Sequence, residues 1–311
     1  MKELAKSLCD FLLQTYGDLA LVTPAAFAAA LRAVGHIPED ASPTHVRYWI
    51  TNLVAVRWEA APTSLPGLNY EEEGSSVIET GRARGSIEAN LTLPHEFGEC
   101  LERVIDDELA VRGMPALGWR ERDWEKMSIE LVAPVATFKA AARTAGLDLT
   151  AFPQLSYESV VYRMKEAFDD EAPLFAVYYG NRSKWVRGKG FQGEDWQVRA
   201  CSWTRQWLRY GYVDGRELLR LPRRNEECAL LSVIGEARSR RNAILVHTLD
   251  RAGARIVETA VLFRRRCYGR DPAQIFVVGV EASHAHMLQP QLALVDAEER
   301  QATFSQLFAE G

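Results

Sequence analysis

The stretch LPHEFGEC (residues 93–100) holds the residue types best suited to chemistry in this 311-residue chain. On an α-helix, residues four apart share a face, so His95 and Glu99 project together while Glu96 is turned about 100° aside. Such a helix can offer two ligands to a metal ion and a carboxylate that reaches the bound water. A HExxH zinc site works this way: the ion polarises the scissile carbonyl and lowers the water pKa toward neutrality, and the Glu takes the proton as general base. Here Glu99 stands where that motif has its second His, and a third protein ligand must come from elsewhere. By itself HExxE is a weak signal, because a His-Glu pair on an acidic amphipathic helix also arises by chance.

The elements that must position these residues follow from local patterning. Residues 1 to 53 read as three helices: LAKSLCDFLLQTYG, then TPAAFAAALRAVG closed by Gly35, then SPTHVRYWITNL with Ser42 and Pro43 as a start signal. VAVRW (54–58) and SSVIETG (75–81) read as short strands separated by a loop containing Pro62, Pro66 and Gly67. The helix carrying His95 is expected from Pro94 onward, with proline at a first helical position. GMPALGW breaks it, and helical periodicity returns over 121–148, interrupted by Pro134. A shorter helix is expected in SYESVVYRMKEAF (156–168). From Pro173 the texture changes to strands, in LFAVYYG, DWQVRACSW, CALLSVI, NAILVHTLD, ARIVETAVLFRR and QIFVVGVEA, with a hairpin around DRAGAR (250–255) and a closing helix in EERQATFSQLFAEG.

Composition narrows the class. With 47% hydrophobic and 25% charged residues the chain can bury a sizeable core, and the length predicts two or three domains. The longest apolar runs fall far short of the roughly 20 residues that span a bilayer, and the N-terminus shows no cleavage-site pattern, so a cytoplasmic protein with no membrane partner is expected. Five scattered cysteines with no CxxC pair argue against a disulfide framework and against a cysteine-rich zinc site. A net charge of −5 gives no global attraction to nucleic acid; the basic stretches RSRR (238–241) and FRRRCYGR (263–270) could still act locally, but read first as solvated strand ends and turns.

The context of the HE helix resembles the ImmA/IrrE family of metallopeptidases. That family runs through a strand, a polar hairpin-like segment, an apolar lead-in of the form F-T-L-A-H-E, the metal helix, and an acidic residue ahead of a helix ending in A-A-E-L-L-M-P. This chain offers SSVIETGRARGSIEANLTLPHEFGEC followed by ERDWEKMSIELVAPVATF, with IELVAP (129–134) as anchor. Counting back thirteen from Pro134 reaches Glu121, where members carry their glutamate ligand. AARTAGLDLTAFPQLSYESVVYRMKEAF (141–168) continues in the family's order. The resemblance covers residues 54–168, about a third of the chain, through motifs that are individually short.

The resemblance implies an α+β fold: a helical zincin-like metallopeptidase core with a small sheet, followed by a β-rich GAF-like domain. The implied domains are 1–53, an N-terminal helical segment; 54–170, the metallopeptidase domain with a short helix-turn-helix-like end; and 171–311, a GAF-like sensory domain. It implies His95 as metal ligand, Glu96 as general base and Glu121 as carboxylate ligand, with Glu99 in the place of the second His. A carboxylate can bind zinc, but one His with two carboxylates leaves a divalent ion formally neutralised, lowers its Lewis acidity and suits Mn²⁺ or Fe²⁺ better than a His-rich site does. Three outcomes stay open: an active site with altered metal preference, a structural metal site, or no metal.

The other candidates have plainer readings. Glu102 and Asp106 read as an exposed acidic stripe. Cys100 could report redox state but reads as packing. His284 and His286 could share one side of a strand, without a third ligand. His36 and His45 read as capping or surface residues, and Trp185, Trp196, Trp203 and Trp207 as core rather than pocket lining. Two function classes follow. One is a metallopeptidase that cuts a partner helix-turn-helix repressor in a stress, DNA-damage or phage-defence response, with nucleic acid or a small molecule signalling through the C-terminal domain. The other is a non-catalytic regulator that binds a partner protein or DNA, for which the mixed charge of helix 156–168 (Arg163 and Lys165 against Glu158 and Glu166) is a poor DNA-binding surface.

Overall fold

The structure, a computed structural model, describes residues 1–53, 56–60, 67–72, 75–80, 89–147, 152, 154–181, 184–186, 190–192, 196–209, 242–249, 257–266 and 274–288. The fold is α+β in two compact units, Met1–Thr137 with Pro153–Ser156, and Phe138–Phe152 with Tyr157–Gly311. Among the described residues no helix is long and apolar enough to cross a membrane.

The first unit opens with three capped helices. In α1 (Lys2–Tyr16) Ala5, Leu8, Cys9 and Leu12 are buried at helical spacing, and Gly17 ends the helix at φ 72° with its N–H donating to the Leu13 carbonyl at 2.9 Å. Thr23 caps α2 (Pro24–Val34) and Ser42 caps α3 (Pro43–Thr51), each hydroxyl accepting a backbone N–H three residues on, with proline first in each helix. Gly35 closes α2 as expected, its N–H donating to the Leu31 carbonyl at 2.8 Å. It does so in a right-handed conformation, and His36 after it is left-handed at φ 53°. Gly35 is needed for space, because a Cβ there would lie 2.5 Å from Trp49 Cζ2 and 2.8 Å from the Leu31 carbonyl.

A three-stranded sheet follows, built of β1 (Val56–Ala60), β2 (Gly67–Glu72) and β3 (Ser75–Thr80) in the order β1-β3-β2. β1 runs parallel and β2 antiparallel to the central β3, whose Val77 and Ile78 are fully buried. β2 begins at Gly67, in what sequence pattern reads as loop. GLNYEE has no β-branched residue and no clean alternation, and pairing with β3 together with packing against the next helix overrides that weak propensity.

That helix is α4 (Ala89–Val111), which buries Leu93, Phe97, Cys100, Leu101, Ile105 and Leu109 along one stripe. It begins before Pro94, not at it. The proline sits inside the helix and forgoes one backbone bond, to the carbonyl four residues back. Two further helices, α5 (Glu121–Val132) and α6 (Val135–Thr144), are separated at Pro134 as the sequence predicts. α4 packs against α1, α3, α5, β2 and β3, and so runs through the middle of the unit. α5 packs on both α4 and α2, and Arg32 of α2, buried, donates to the Leu131 carbonyl near its end.

The second unit carries α7 (Tyr157–Phe168) against a fully antiparallel five-stranded sheet. Its strands are β4 (Leu174–Asn181), β7 (Trp196–Trp203), β8 (Asn242–Leu249), β9 (Val257–Arg266) and β10 (Gln274–Glu281), in the order β7-β4-β10-β9-β8. β8 and β9 form the expected hairpin. A small ribbon, β5 (Lys184–Val186) with β6 (Gly190–Gln192), and a one-turn helix, α8 (Arg205–Arg209), were not legible from pattern. Trp207 of α8 is fully buried and meets the Phe175 ring edge to face at 4.9 Å. The anticipated strand CALLSVI, the turn of the hairpin, RSRR and the closing helix lie outside the described residues.

Gly279 of β10 leaves room for the Phe175 ring, onto which an added Cβ would fall. Gly279→Ala is expected to cost about 1–3 kcal/mol, read as a lowered urea midpoint, and Phe175→Leu in the same chain should recover part of it. An unchanged midpoint in the single variant would contradict this packing.

Candidate metal centre

Helices α4 and α5 bring the predicted residues to one place. His95 and Glu99 lie one turn apart on α4, and Glu121 is the first residue of α5. Nε2 of His95 is 3.0 Å from Glu121 Oε1 and 3.6 Å from Glu99 Oε1. One donor atom from each of the three lies within 4.8 Å of the others. Ligand bonds of about 2.0–2.2 Å in a tetrahedral set place donor atoms roughly 3.4 Å apart, so the spacing suits a small divalent cation. The His side chain is 16% exposed, Glu99 30% and Glu121 67%, so the cluster opens to solvent on the α5 side.

Gly98, inside the motif, makes the approach of α5 possible. A Cβ at this position would lie 2.6 Å from Met127 Cε and 2.7 Å from Trp124 Cε3, both on α5. Phe97 beside it is buried and meets Trp49 of α3 edge to face at 5.8 Å. Trp124 in turn packs with Trp119 and Phe27, at centroid distances of 4.6 and 5.7 Å. The side chains expected to form an acidic stripe hold this crossing. Glu102 accepts from the Trp124 indole N–H at 3.1 Å, and Asp106 accepts from the Leu117 backbone N–H at 2.9 Å, so the segment leading to Glu121 is tied down. At the start of α5, Asp123 accepts the Arg120 backbone N–H at 3.2 Å.

Glu96 sits beside the cluster and is only 8% exposed. Burial raises its pKa; the hydrogen bond from Asn69 opposes this, Glu99 adds to it, and His95 opposes it. Asn69 of β2 is the site residue that sequence reasoning missed. Its Nδ2 donates to Glu96 Oε2 at 2.7 Å and to Glu99 Oε2 at 2.6 Å. Arg103 donates to Asn69 Oδ1 at 2.7 Å, and because a guanidinium can only donate, this contact fixes which way the amide faces. No local signal marks Asn69, since it lies 26 residues before His95 in a stretch that reads as loop. The other ring nitrogen of His95, Nδ1, is buried and has no hydrogen-bond partner among the described residues.

The remaining candidates do not join the site. Cys100 is buried and its thiol is pushed up by burial, which suits packing and not reactivity. His284 and His286 lie on a 3₁₀ helix, Ala282–Leu288, not on a strand, with ring centroids 6.1 Å apart. The backbone N–H of His45 is held by the Ser42 cap, as expected for a residue of the first turn. Arg163 of α7 is 1% exposed and paired with Glu166 at 2.5 Å, so its charge faces inward.

No family model matches this chain, and no curated protein matches it. Among solved structures, a Mycobacterium tuberculosis transcriptional regulator aligns over 94% of this chain and 84% of that chain, with 12% identity and a TM-score of 0.47. A likeness of that depth carries no argument about family or function.

Two outcomes test the site's construction. Gly98→Ala is expected to lower stability by about 1–3 kcal/mol through overpacking and, by moving α5, to weaken divalent-metal binding measured by titration calorimetry; unchanged binding would contradict the close crossing. Glu96 has a folded pKa raised above its unfolded value, so its stabilising contribution is present below the unfolded carboxylate pKa and is lost as pH rises through the folded one. Glu96→Gln in metal-free protein should therefore raise the urea midpoint at about pH 7 and lose that advantage near pH 4. Destabilisation at neutral pH would contradict it.

Proposed function

We propose that this chain is a metal-dependent endopeptidase that cleaves a partner helix-turn-helix transcriptional repressor in a stress, DNA-damage or phage-defence response. The observation that carries the reading is the convergence of His95, Glu99 and Glu121 from two helices, with the buried carboxylate of Glu96 alongside. The order of motifs resembling ImmA/IrrE metallopeptidases supports it, since the residue reached by counting back from IELVAP is the one that comes within 3.0 Å of His95. In this reading the catalytic segment is 54–170, preceded by helices 1–53, and 171–311 is a GAF-like sensor of nucleic acid or a small molecule.

His95, Glu99 and Glu121 would hold the ion. When bound it would supply Lewis acidity toward the scissile carbonyl, weaker than in a His-rich site because two carboxylates offset its charge. One nitrogen and two carboxylate oxygens suit Zn²⁺ and also Mn²⁺ or Fe²⁺. Glu96 takes a proton from the attacking water and returns it to the leaving amine. Its raised pKa brings it nearer the operating pH, where a general base is most effective.

A non-catalytic regulator that binds a partner protein or DNA is the second reading, and one observation favours it. Metal-binding histidines almost always donate their second ring N–H to an acceptor, whereas Nδ1 of His95 has none among the described residues. Within that reading, Arg163 is withdrawn from any DNA surface.

Metal analysis of the purified chain, with co-expression of the repressor encoded beside its gene, separates the two. The peptidase reading expects about one divalent ion per chain, a cleaved repressor under inducing conditions, and intact repressor with Glu96→Gln. If the repressor stays intact beside the wild-type chain, or Glu96→Gln behaves identically, the regulator reading holds. Glu99→His should raise zinc affinity if the centre is a weakened peptidase site, and leave it unchanged if the site is lost.

A further inference from the structure

Asn69 contacts both carboxylates of the HEFGE segment with one amide nitrogen. Its two N–H bonds are divided, one to Glu96 Oε2 and one to Glu99 Oε2. Two anions one helical turn apart would otherwise repel, and a pair of short charge-assisted bonds holds them at a set spacing. Because Oε2 of Glu99 is taken by the amide, only Oε1 is presented to His95. Oε1 of Glu96 is likewise left over, next to Gly67, where a Cβ would collide with that atom and lie 2.7 Å from Thr92 Cγ2. Arg103 completes the arrangement by holding the amide oxygen and touching Cys100 Sγ at 3.4 Å.

We propose that Asn69, oriented by Arg103, is a positioning residue that makes Glu99 a one-oxygen ligand and aims the free oxygen of Glu96. This rests on the metal-centre reading above. The physical consequence is an open coordination position. A carboxylate engaging an ion through both oxygens fills two positions, and a catalytic centre with three protein ligands needs one left for water or substrate. Glycine at 67 and asparagine at 69 are then required by the same device, since one strand supplies both the space and the donor.

The test uses the full chain stripped of metal and titrated with Co²⁺, with affinity from calorimetry and coordination from visible absorption. Asn69→Ala is expected to bind Co²⁺ about 10–100-fold more weakly, the range for loss of a partner behind a ligand. It should also replace the intense spectrum of low coordination with the weak one of an expanded site. Asn69→Asp, which adds an anion and removes the donor, should bind with a changed spectrum as well. Arg103→Met leaves Asn69 in place and alters an exposed side chain, so it should fold and shift affinity and spectrum in the same direction. Wild-type affinity and spectrum in Asn69→Ala and Arg103→Met would overturn the proposal while leaving the metal centre standing. If the wild-type chain binds no Co²⁺, the metal centre fails and this proposal is overturned with it.

Discussion

The close crossing of α4 and α5 at Gly98 is the constraint on which the candidate centre depends. His95 and Glu99 share a helix and would face the same way in isolation, but Glu121 is more than 20 residues away and reaches them only because α5 lies almost against the α4 backbone. Met127 and Trp124 fill the space that any larger side chain at 98 would claim. The aromatic cluster of Phe27, Trp119 and Trp124 and the Arg32 bond to Leu131 tie α5 to α2 as well. A packing requirement thus sits inside the motif that carries the chemistry.

The centre is strongly anionic for its degree of enclosure. Glu96, Glu99 and Glu121 lie around one imidazole, and burial, with a smaller push from Glu99, raises the pKa of Glu96. The protein offsets this with dipoles and one guanidinium: the Asn69 amide, oriented by Arg103, touches two of the three carboxylates. Glu121, mostly exposed, is relieved by water. An arrangement that concentrates negative charge around a histidine is suited to a divalent cation, which would neutralise it more completely than the polar groups present. Nδ1 of His95 pulls the other way, because none of the described residues accepts a hydrogen bond from it.

Legibility varied with how local the cause was. Helix ends set by Thr23-Pro24, Ser42-Pro43, Gly17 and Pro134 lay where their side-chain chemistry put them. Pro94 misled, since a proline inside a helix costs one bond that α4, packed on several elements, can forgo. Gly35 closes α2 where the sequence places the end, but the reason for a glycine there lies elsewhere in the chain: it admits the Trp49 ring, and His36 takes the left-handed turn. Glu102 and Asp106 looked like solvent-facing acids and are acceptors for Trp124 and Leu117, because their partners lie on segments 22 and 11 residues away.

The residue types and spacing of HEFGE were enough to place a nitrogen and a carboxylate on one helical face with a second carboxylate beside them, because helix periodicity alone does that. The strand-rich texture after Pro173 was enough to anticipate an α+β chain, for alternation and turn residues are local properties as well. Only the tertiary structure decided that Glu121 meets His95, that β2 exists, and that Asn69 joins Glu96 to Glu99. Each of these requires two elements distant in sequence to come within a few ångströms, and that distance is set by packing at glycines whose role is invisible until the neighbour is known.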